Sequence, residues 1–247
     1  ASASLGRLVG SEMCIRDSSF KEKLLYKFTK KYWKLINQKH GILNNFTVQK
    51  GLFKDLKLNK EQYWNSGDLG SKIYGFYEKD VQEIIYKIVK KYKIKQFINI
   101  GSADGFFPIG FLRLKLFKNA ICFEQNKIGQ KSIIQNAITN KVIDKIKVHG
   151  EISSYNFKNE LVSKLQKSPS LILCDIEGYE YKLFSLKNLE LIKNEFLIIE
   201  IHPTSKSNQI KFEKNIHRYF NTREIFSNSN NFSDLPELHN INDIDRS

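Results

Sequence analysis

The sequence predicts an α/β fold: a mostly parallel sheet with helices on both faces and a helical extension ahead of it. Three observations predict it. From residue 96 onward, short β-branched and apolar runs alternate with segments of helical period, the pattern of parallel strands joined by crossover helices. The first run, Phe97-Ile98-Asn99-Ile100, passes into Gly101-Ser102-Ala103-Asp104-Gly105 and then an apolar stretch over 106–117. That is the grammar of a buried strand, a tight loop and a helix, where an open α/β sheet binds a nucleotide-like ligand. Several later runs end in an acid: Glu124, Asp175 and Glu200.

The elements follow in chain order. Residues 8–18, LVGSEMCIRDS, resemble a translated adapter sequence from DNA library preparation, and Met13 is the only methionine. Residues 1–18 are therefore read as an assembly scar or a disordered tail, outside the fold, with the native start missing. Residues 20–39 read as a helix, with Phe20, Leu24, Leu25, Phe28, Tyr32, Leu35 and Ile36 near a 3.6 period and lysines opposite. It is expected to brace the domain; a basic amphipathic helix can also touch an anionic membrane. A short strand is expected over 52–58 and a polar, Gly-rich connection over 65–77. Asp80 is placed as cap of the next helix, with Val81, Ile84, Ile85, Ile88 and Val89 on its buried face.

Strands are then expected at 96–100, 120–124, 146–149, 171–175 and 195–201, with a sixth near 224–227. Helices are expected at 107–117, 129–139, 157–165, 179–186 and 209–220. Residues 19–95 form a helical lead-in packed with the core, 96–247, as one domain.

Composition bounds the function. A chain of 247 residues suits one domain with a real core, and no stretch approaches the ~20 apolar residues of a membrane span. The formal charge of +14 first suggests nucleic acid. Yet lysine dominates, and beyond residue 18 the only arginines are Arg113, Arg218, Arg223 and Arg246, whereas base and phosphate readers lean on arginine forks. Lys, Asn and Ile share A/T-rich codons, so the charge is read as genome composition and a solvated surface. Cys122 and Cys174 sit in apolar runs and Cys14 stands apart. With no disulfide or metal spacing, a reducing, cytoplasmic setting fits.

The chemistry stands at the strand ends. The loop spacing G-x-x-x-G favours an adenosyl group with a short tail over a dinucleotide. Small residues at Asn99, Gly101, Ser102, Ala103, Asp104 and Gly105 let a ligand approach the backbone. Glu124, followed by Gln125, comes about twenty residues after the loop, where a carboxylate can accept both ribose hydroxyls. Glu151, after His149-Gly150, can accept an adenine amine, while His149 is read as structural. The fourth run enters Asp175-Ile176-Glu177-Gly178-Tyr179-Glu180. Alternation puts Asp175 and Glu177 on one side, and Glu180 is read as complementing a helix dipole. The fifth ends Glu200-Ile201-His202-Pro203, so Asp175, Glu177, Glu200 and His202 are expected to converge.

FINIGSADG, CFEQN, CDIEGYE and IIEIHP, in this order, resemble the FkbM-like S-adenosylmethionine-dependent methyltransferases of the class I, Rossmann-like fold. GFYEKD at 75–80 also fits a lead-in of that family, and the resemblance spans roughly 51–227. It implies a three-layer sandwich whose sheet has seven strands, one antiparallel, with no convincing final strand read after the sixth. It also implies methyl transfer to a hydroxyl of a sugar, glycan or related small metabolite. Asn99 to Gly105 would hold the methionine part of S-adenosylmethionine, and Glu124 its ribose. Asp175, Glu200 and His202 would face the acceptor. Asn99 departs from the acid frequent there in the family.

In that reading His202 takes the hydroxyl proton as general base, oriented by Glu200 or Asp175. A divalent metal on Asp175, Glu200 and His202 is the alternative. The metal-free route is preferred because the ligand set looks incomplete in sequence. Three rivals are kept. A nicotinamide oxidoreductase lacks its G-x-G-x-x-G loop. A nucleic-acid methyltransferase lacks N/D-P-P-Y/F after strand four and meets an acidic cleft mouth. A binding module that has lost activity shares every motif.

Overall fold

The computed structural model describes residues 20–61 and 66–224. Its centre is strand β1, Gln96–Ile100, buried at every position, as a parallel strand covered on both faces must be. β2 (Asn119–Phe123), β3 (Ile146–His149), β4 (Leu171–Cys174) and β5 (Phe196–Ile199) pair with it in the order β3-β2-β1-β4-β5. All four pairings are parallel. The order reverses between β1 and β4, and the sheet opens a crevice there at its carboxyl edge.

Strand alternation divides the core into two layers. Phe97, Ala120, Cys122, Leu171, Leu173, Phe196 and Ile198 face one layer. Ile98, Ile100, Ile121, Phe123, Ile172, Cys174, Leu197 and Ile199 face the other. The first layer is covered by α3 (Lys79–Tyr92), α4 (Phe106–Arg113) and α5 (Lys127–Thr139), through residues such as Ile85, Phe111 and Ile133. The second is covered by α6 (Phe157–Glu160), α7 (Glu180–Leu183), α8 (Leu186–Leu191) and α9 (Lys206–His217), through Phe157, Leu183, Leu189 and Phe212. This is the predicted α/β, Rossmann-like three-layer sandwich, and Cys122 and Cys174 are free and buried within it.

Ahead of the sheet lie α1 (Phe20–Leu43) and α2 (Leu69–Tyr74). Asn37 ties them together: its Nδ2 donates to Gly67 O and its Oδ1 accepts the Gly70 N–H. His40 meets the Tyr74 hydroxyl at 2.7 Å. Both contacts come from the last turns of α1; Tyr32 and Leu35, expected on the packed face, are 42% and 61% exposed.

Several local expectations are corrected. Residues 52–55 turn, and only 56–58 extend, pairing as a short antiparallel bridge with 46–48 through Lys57 and Thr47. Gly51 and Asp55 take positive φ, and Phe53 and Leu56 are buried, with Phe53 packing edge-on to Phe106, Phe107 and Phe111. The Gly-rich connection holds a 3-10 turn, Ser66–Asp68, and α2. α3 begins at Lys79 with Glu78 as its cap position, so Asp80 lies inside its first turn. The helix expected over 157–165 is α6 plus a 3-10 turn, Val162–Lys164. The one expected over 179–186 is α7 and α8. The scar and most of the sixth strand lie outside the described residues.

Candidate active site

The hydrogen-bond ladder runs one residue past the strands. The Gly101 N–H donates to Phe123 O, Glu124 to His149 O, Asp175 to Ile100 O and Glu200 to Cys174 O, at 2.9–3.1 Å. Gly101, Glu124, Asp175 and Glu200 therefore stand side by side at the carboxyl edge. They line a cleft of about 1090 Å³. Gly101 is required there: its φ is +79°, and a Cβ would lie 1.7 Å from Asp175 O. A larger residue would push the β1 loop off the end of β4. Ala103, Glu177 and Glu78, all on the cleft wall, take φ of 44–52° without being glycine, a strained conformation that concentrates at working sites.

One half of the cleft is built on the glycine loop. Glu124 is buried; its Oε2 accepts the Ala103 N–H and its Oε1 the Asn126 N–H, each at 2.9 Å. Burial raises its pKa, and the two backbone donors partly offset that. A carboxylate has about four acceptor sites, so two remain for a ligand. Asn99 is buried and spends its amide on Leu173 O, 3.4 Å away. The Ser102 hydroxyl donates to Asn99 O. Asp104 Oδ1 accepts the Phe106 N–H, and Oδ2 lies 2.9 Å from Lys72 Nζ on α2. Phe123, Ile152 and Tyr179 add apolar wall beside Gln125 and Glu151.

The other half is acidic. Asp175, Glu177, Glu200 and Glu78 line it. Burial and the charges of Glu200 and Glu78 push the Asp175 pKa well up, with His202 opposing. Glu200 rises by burial, against His202. Glu78 climbs to about 7, first by burial and then by the Glu200 charge. No hydrogen bond reaches the buried Asp175 Oδ1 among the described residues. His202 stands behind these carboxylates rather than on the cleft wall. Its Nε2 lies 3.6 Å from Asp175 Oδ1 and 3.4 Å from Glu177 Oε2. Its Nδ1 lies 3.4 Å from Glu180 Oε1, an ionic contact too poorly directed for a full hydrogen bond. The Glu180 contact is the main cause of a His202 pKa near 9, opposed by burial and reinforced by the charges of Glu180, Asp175 and Glu177. These carboxylates favour the imidazolium form of the ring.

Glu180 is the anchor of this arrangement. Its side chain is fully buried. Oε1 accepts the His202 N–H at 2.9 Å and Oε2 the Gly178 N–H at 2.8 Å. Burial alone would raise its pKa, but these donors and the ring hold it below the usual range. Glu180 thus ties the end of β5 to the loop after β4, a role beyond the helix-dipole partner expected from sequence.

The structure brings Asp175, Glu177, Glu200 and His202 together, and it gathers Asn99, Gly101, Ser102, Ala103, Asp104, Glu124, Gln125 and Glu151 around the same cleft. Gly105 is not on the cleft wall; it caps α4 against Ile109 and Ile133. Sequence reasoning missed Lys72, Glu78 and Glu180 as site residues. The only signal for Glu78 was its place in GFYEKD, and Lys72 had none. The sequence had left a metal ligand set incomplete, yet one donor atom each of Asp175, Glu200 and His202 lie within 4.8 Å of one another. No helix among the described residues is long and apolar enough to cross a membrane.

No family profile matches this chain, and no curated protein matches it significantly. Solved structures share its backbone outline. An O-methyltransferase from Streptomyces achromogenes, TomG, involved in tomaymycin synthesis and bound to SAM, is similar at 9% identity and TM-score 0.43, over 57% of this chain and 67% of that one. An O-methyltransferase from Bacillus cereus, in complex with SAH, is similar at 14% identity and TM-score 0.41, over 57% and 66%. M. capricolum TrmK, with S-adenosyl-homocysteine, is similar at 15% identity and TM-score 0.37, over 53% and 54%. Likenesses this distant carry no functional argument, which rests on the chain's own residues.

Proposed function

We propose that this protein is an S-adenosylmethionine-dependent O-methyltransferase acting on a hydroxyl of a sugar, glycan or related small metabolite. One observation carries the reading. The four motifs that resemble the FkbM-like family stand at the ends of β1, β2, β4 and β5 and contribute to one site at the switch point of the sheet. The donor set suits the cofactor: a backbone loop, a β2-end acid with free acceptor sites, an apolar wall, and both signs of charge at Lys72 and Asp104. When bound, the cofactor supplies a methyl group already activated by its sulfonium. Glu124 would accept from the ribose hydroxyls, and Glu151 would stand by the base.

The chain's own task is then to align a hydroxyl and take its proton. Asp175 is the base that fits. It lines the cleft, and its raised pKa makes it a stronger base than an exposed carboxylate. The acceptor O–H bond breaks as an Asp175 O–H bond forms. His202, cationic and behind the carboxylate, is a positioning residue: it holds Asp175 in place and stabilises its charge. In this reading the base is Asp175, where the sequence-based expectation placed His202.

A second reading has its own support. The convergence of Asp175, Glu200 and His202 suits a divalent cation bound through nitrogen and oxygen, which would acidify the hydroxyl directly. Calorimetry with S-adenosylmethionine, followed by transfer of a labelled methyl group to a panel of sugars and glycans, tests the function. Asp175→Asn is expected to lower kcat by roughly 10²- to 10⁴-fold while cofactor binding persists. Wild type that binds without turnover on the whole panel favours the inactive module. Activity lost to EDTA and restored by Mn²⁺ or Mg²⁺ selects the metal route.

A further inference from the structure

Lys72 is a cation where a structural role is a poor explanation. It is 4% exposed, yet it belongs to α2, outside the sheet, and it lines the cleft with Ser102, Ala103 and Asp104. Nζ lies 2.9 Å from Asp104 Oδ2. It also sits over the faces of Tyr77 and Phe106, at 4.9 and 5.3 Å from the ring centroids. A buried ion pair contributes little to stability, since desolvation of both ions consumes the attraction. Two apolar side chains would fasten α2 to the loop at least as well. The pair instead presents a positive and a negative group, side by side, to the cleft. Asp68 adds a second carboxyl whose charge couples to both Lys72 and Asp104.

Asn99 sharpens the point. It lines the same cleft, and its own amide is turned to Leu173 O. The acid within the loop itself is Asp104.

We propose that the Lys72–Asp104 pair recognises the zwitterionic amino-acid end of the cofactor, Lys72 meeting the carboxylate and Asp104 the ammonium. The segment before the sheet thereby supplies a cofactor-specificity residue. The proposal rests on the methyltransferase reading given above. An ion pair is the natural complement of a zwitterion: each ligand charge gains a partner, and the charge-assisted hydrogen bonds are the strong kind. A nucleoside without the amino-acid end gains nothing from it.

The test is calorimetric, with two probes. S-adenosylhomocysteine carries the amino-acid end; 5′-methylthioadenosine lacks it. Lys72→Met is the first variant. The double variant Lys72→Met/Asp104→Asn, which leaves no unpaired buried charge, covers the case in which the first fails to fold, as judged by circular dichroism. The expected result is a roughly 10- to 100-fold loss of affinity for S-adenosylhomocysteine, with 5′-methylthioadenosine affinity changed by less than about threefold. Equal losses for both probes, or no loss for either, would overturn the proposal. Wild type that binds neither probe would overturn the cofactor reading itself, a result distinct from a selective failure in the variants.

Discussion

The behaviour of His202 is decided by a residue with no access to the cleft. Glu180 is fully buried and meets both the ring and the backbone N–H of His202, and this contact is the main cause of the raised pKa of the ring. The imidazolium in turn lowers the pKa of Asp175, against burial and the acids around it. That chain of influence has a sign. In the metal-free mechanism, activity needs Asp175 ionised, so the rate rises with pH through the Asp175 pKa. Replacing His202 by Gln removes a cation that opposes the rise in that pKa. His202→Gln is therefore expected to move the rising limb of the kcat–pH profile to higher pH by about one unit or more, with residual activity at alkaline pH. Stopped assays in EDTA-treated buffer from pH 6 to 10 measure it. A general-base histidine would instead lose its rate at every pH, and a limb that moves downward would contradict the positioning role.

At the scale of elements, the crossing of the β1 loop and the end of β4 fixes the site. Gly101 is the joint, because its φ of +79° and the 1.7 Å approach of a Cβ to Asp175 O leave no room for a side chain. Gly101→Ala is expected to cost roughly 2–4 kcal/mol of unfolding free energy and to abolish cofactor binding in whatever fraction folds. Urea denaturation and calorimetry measure the two effects; a variant within about 0.5 kcal/mol of wild type would show that the loop has slack. The strands that meet here were legible in the sequence because buried parallel strands are unbroken apolar runs ending in polar residues. So were the acids at their ends. The shorter helices were less so: 157–165 and 179–186 each break where a 3-10 turn or a cap at Ser185 intervenes. Residues 52–58 look like a strand by composition, but Gly51 and Asp55 turn the chain so that Phe53 can plug the aromatic layer on α4. Lys72 and Glu78 were illegible as site residues. Lys72 meets Asp104, thirty-two positions on, and Glu78 feels Glu200, contacts that no local pattern encodes.

Across the whole molecule, the cleft is a joint between two parts of the chain. Its floor is the carboxyl edge of the sheet. One wall is the segment before the sheet, with Lys72, Tyr77, Glu78 and Val81. α1 meets that segment through Asn37 and His40. A ligand seated on the glycine loop and the Lys72–Asp104 pair therefore bridges both parts, and its binding energy opposes their separation. Amide exchange reports this, because local opening is suppressed in the units a ligand spans. Saturation with S-adenosylhomocysteine is expected to slow exchange by about tenfold or more in α2 and the first turn of α3, as well as in 100–106 and 123–127. Exchange read by mass spectrometry on peptides from both regions gives the answer. Protection confined to the loop and the end of β2 would mean that the upstream wall is a bystander. Protection in both, lost from α2 in the Lys72→Met/Asp104→Asn variant with the nucleoside still bound, would identify the ion pair as the link between them.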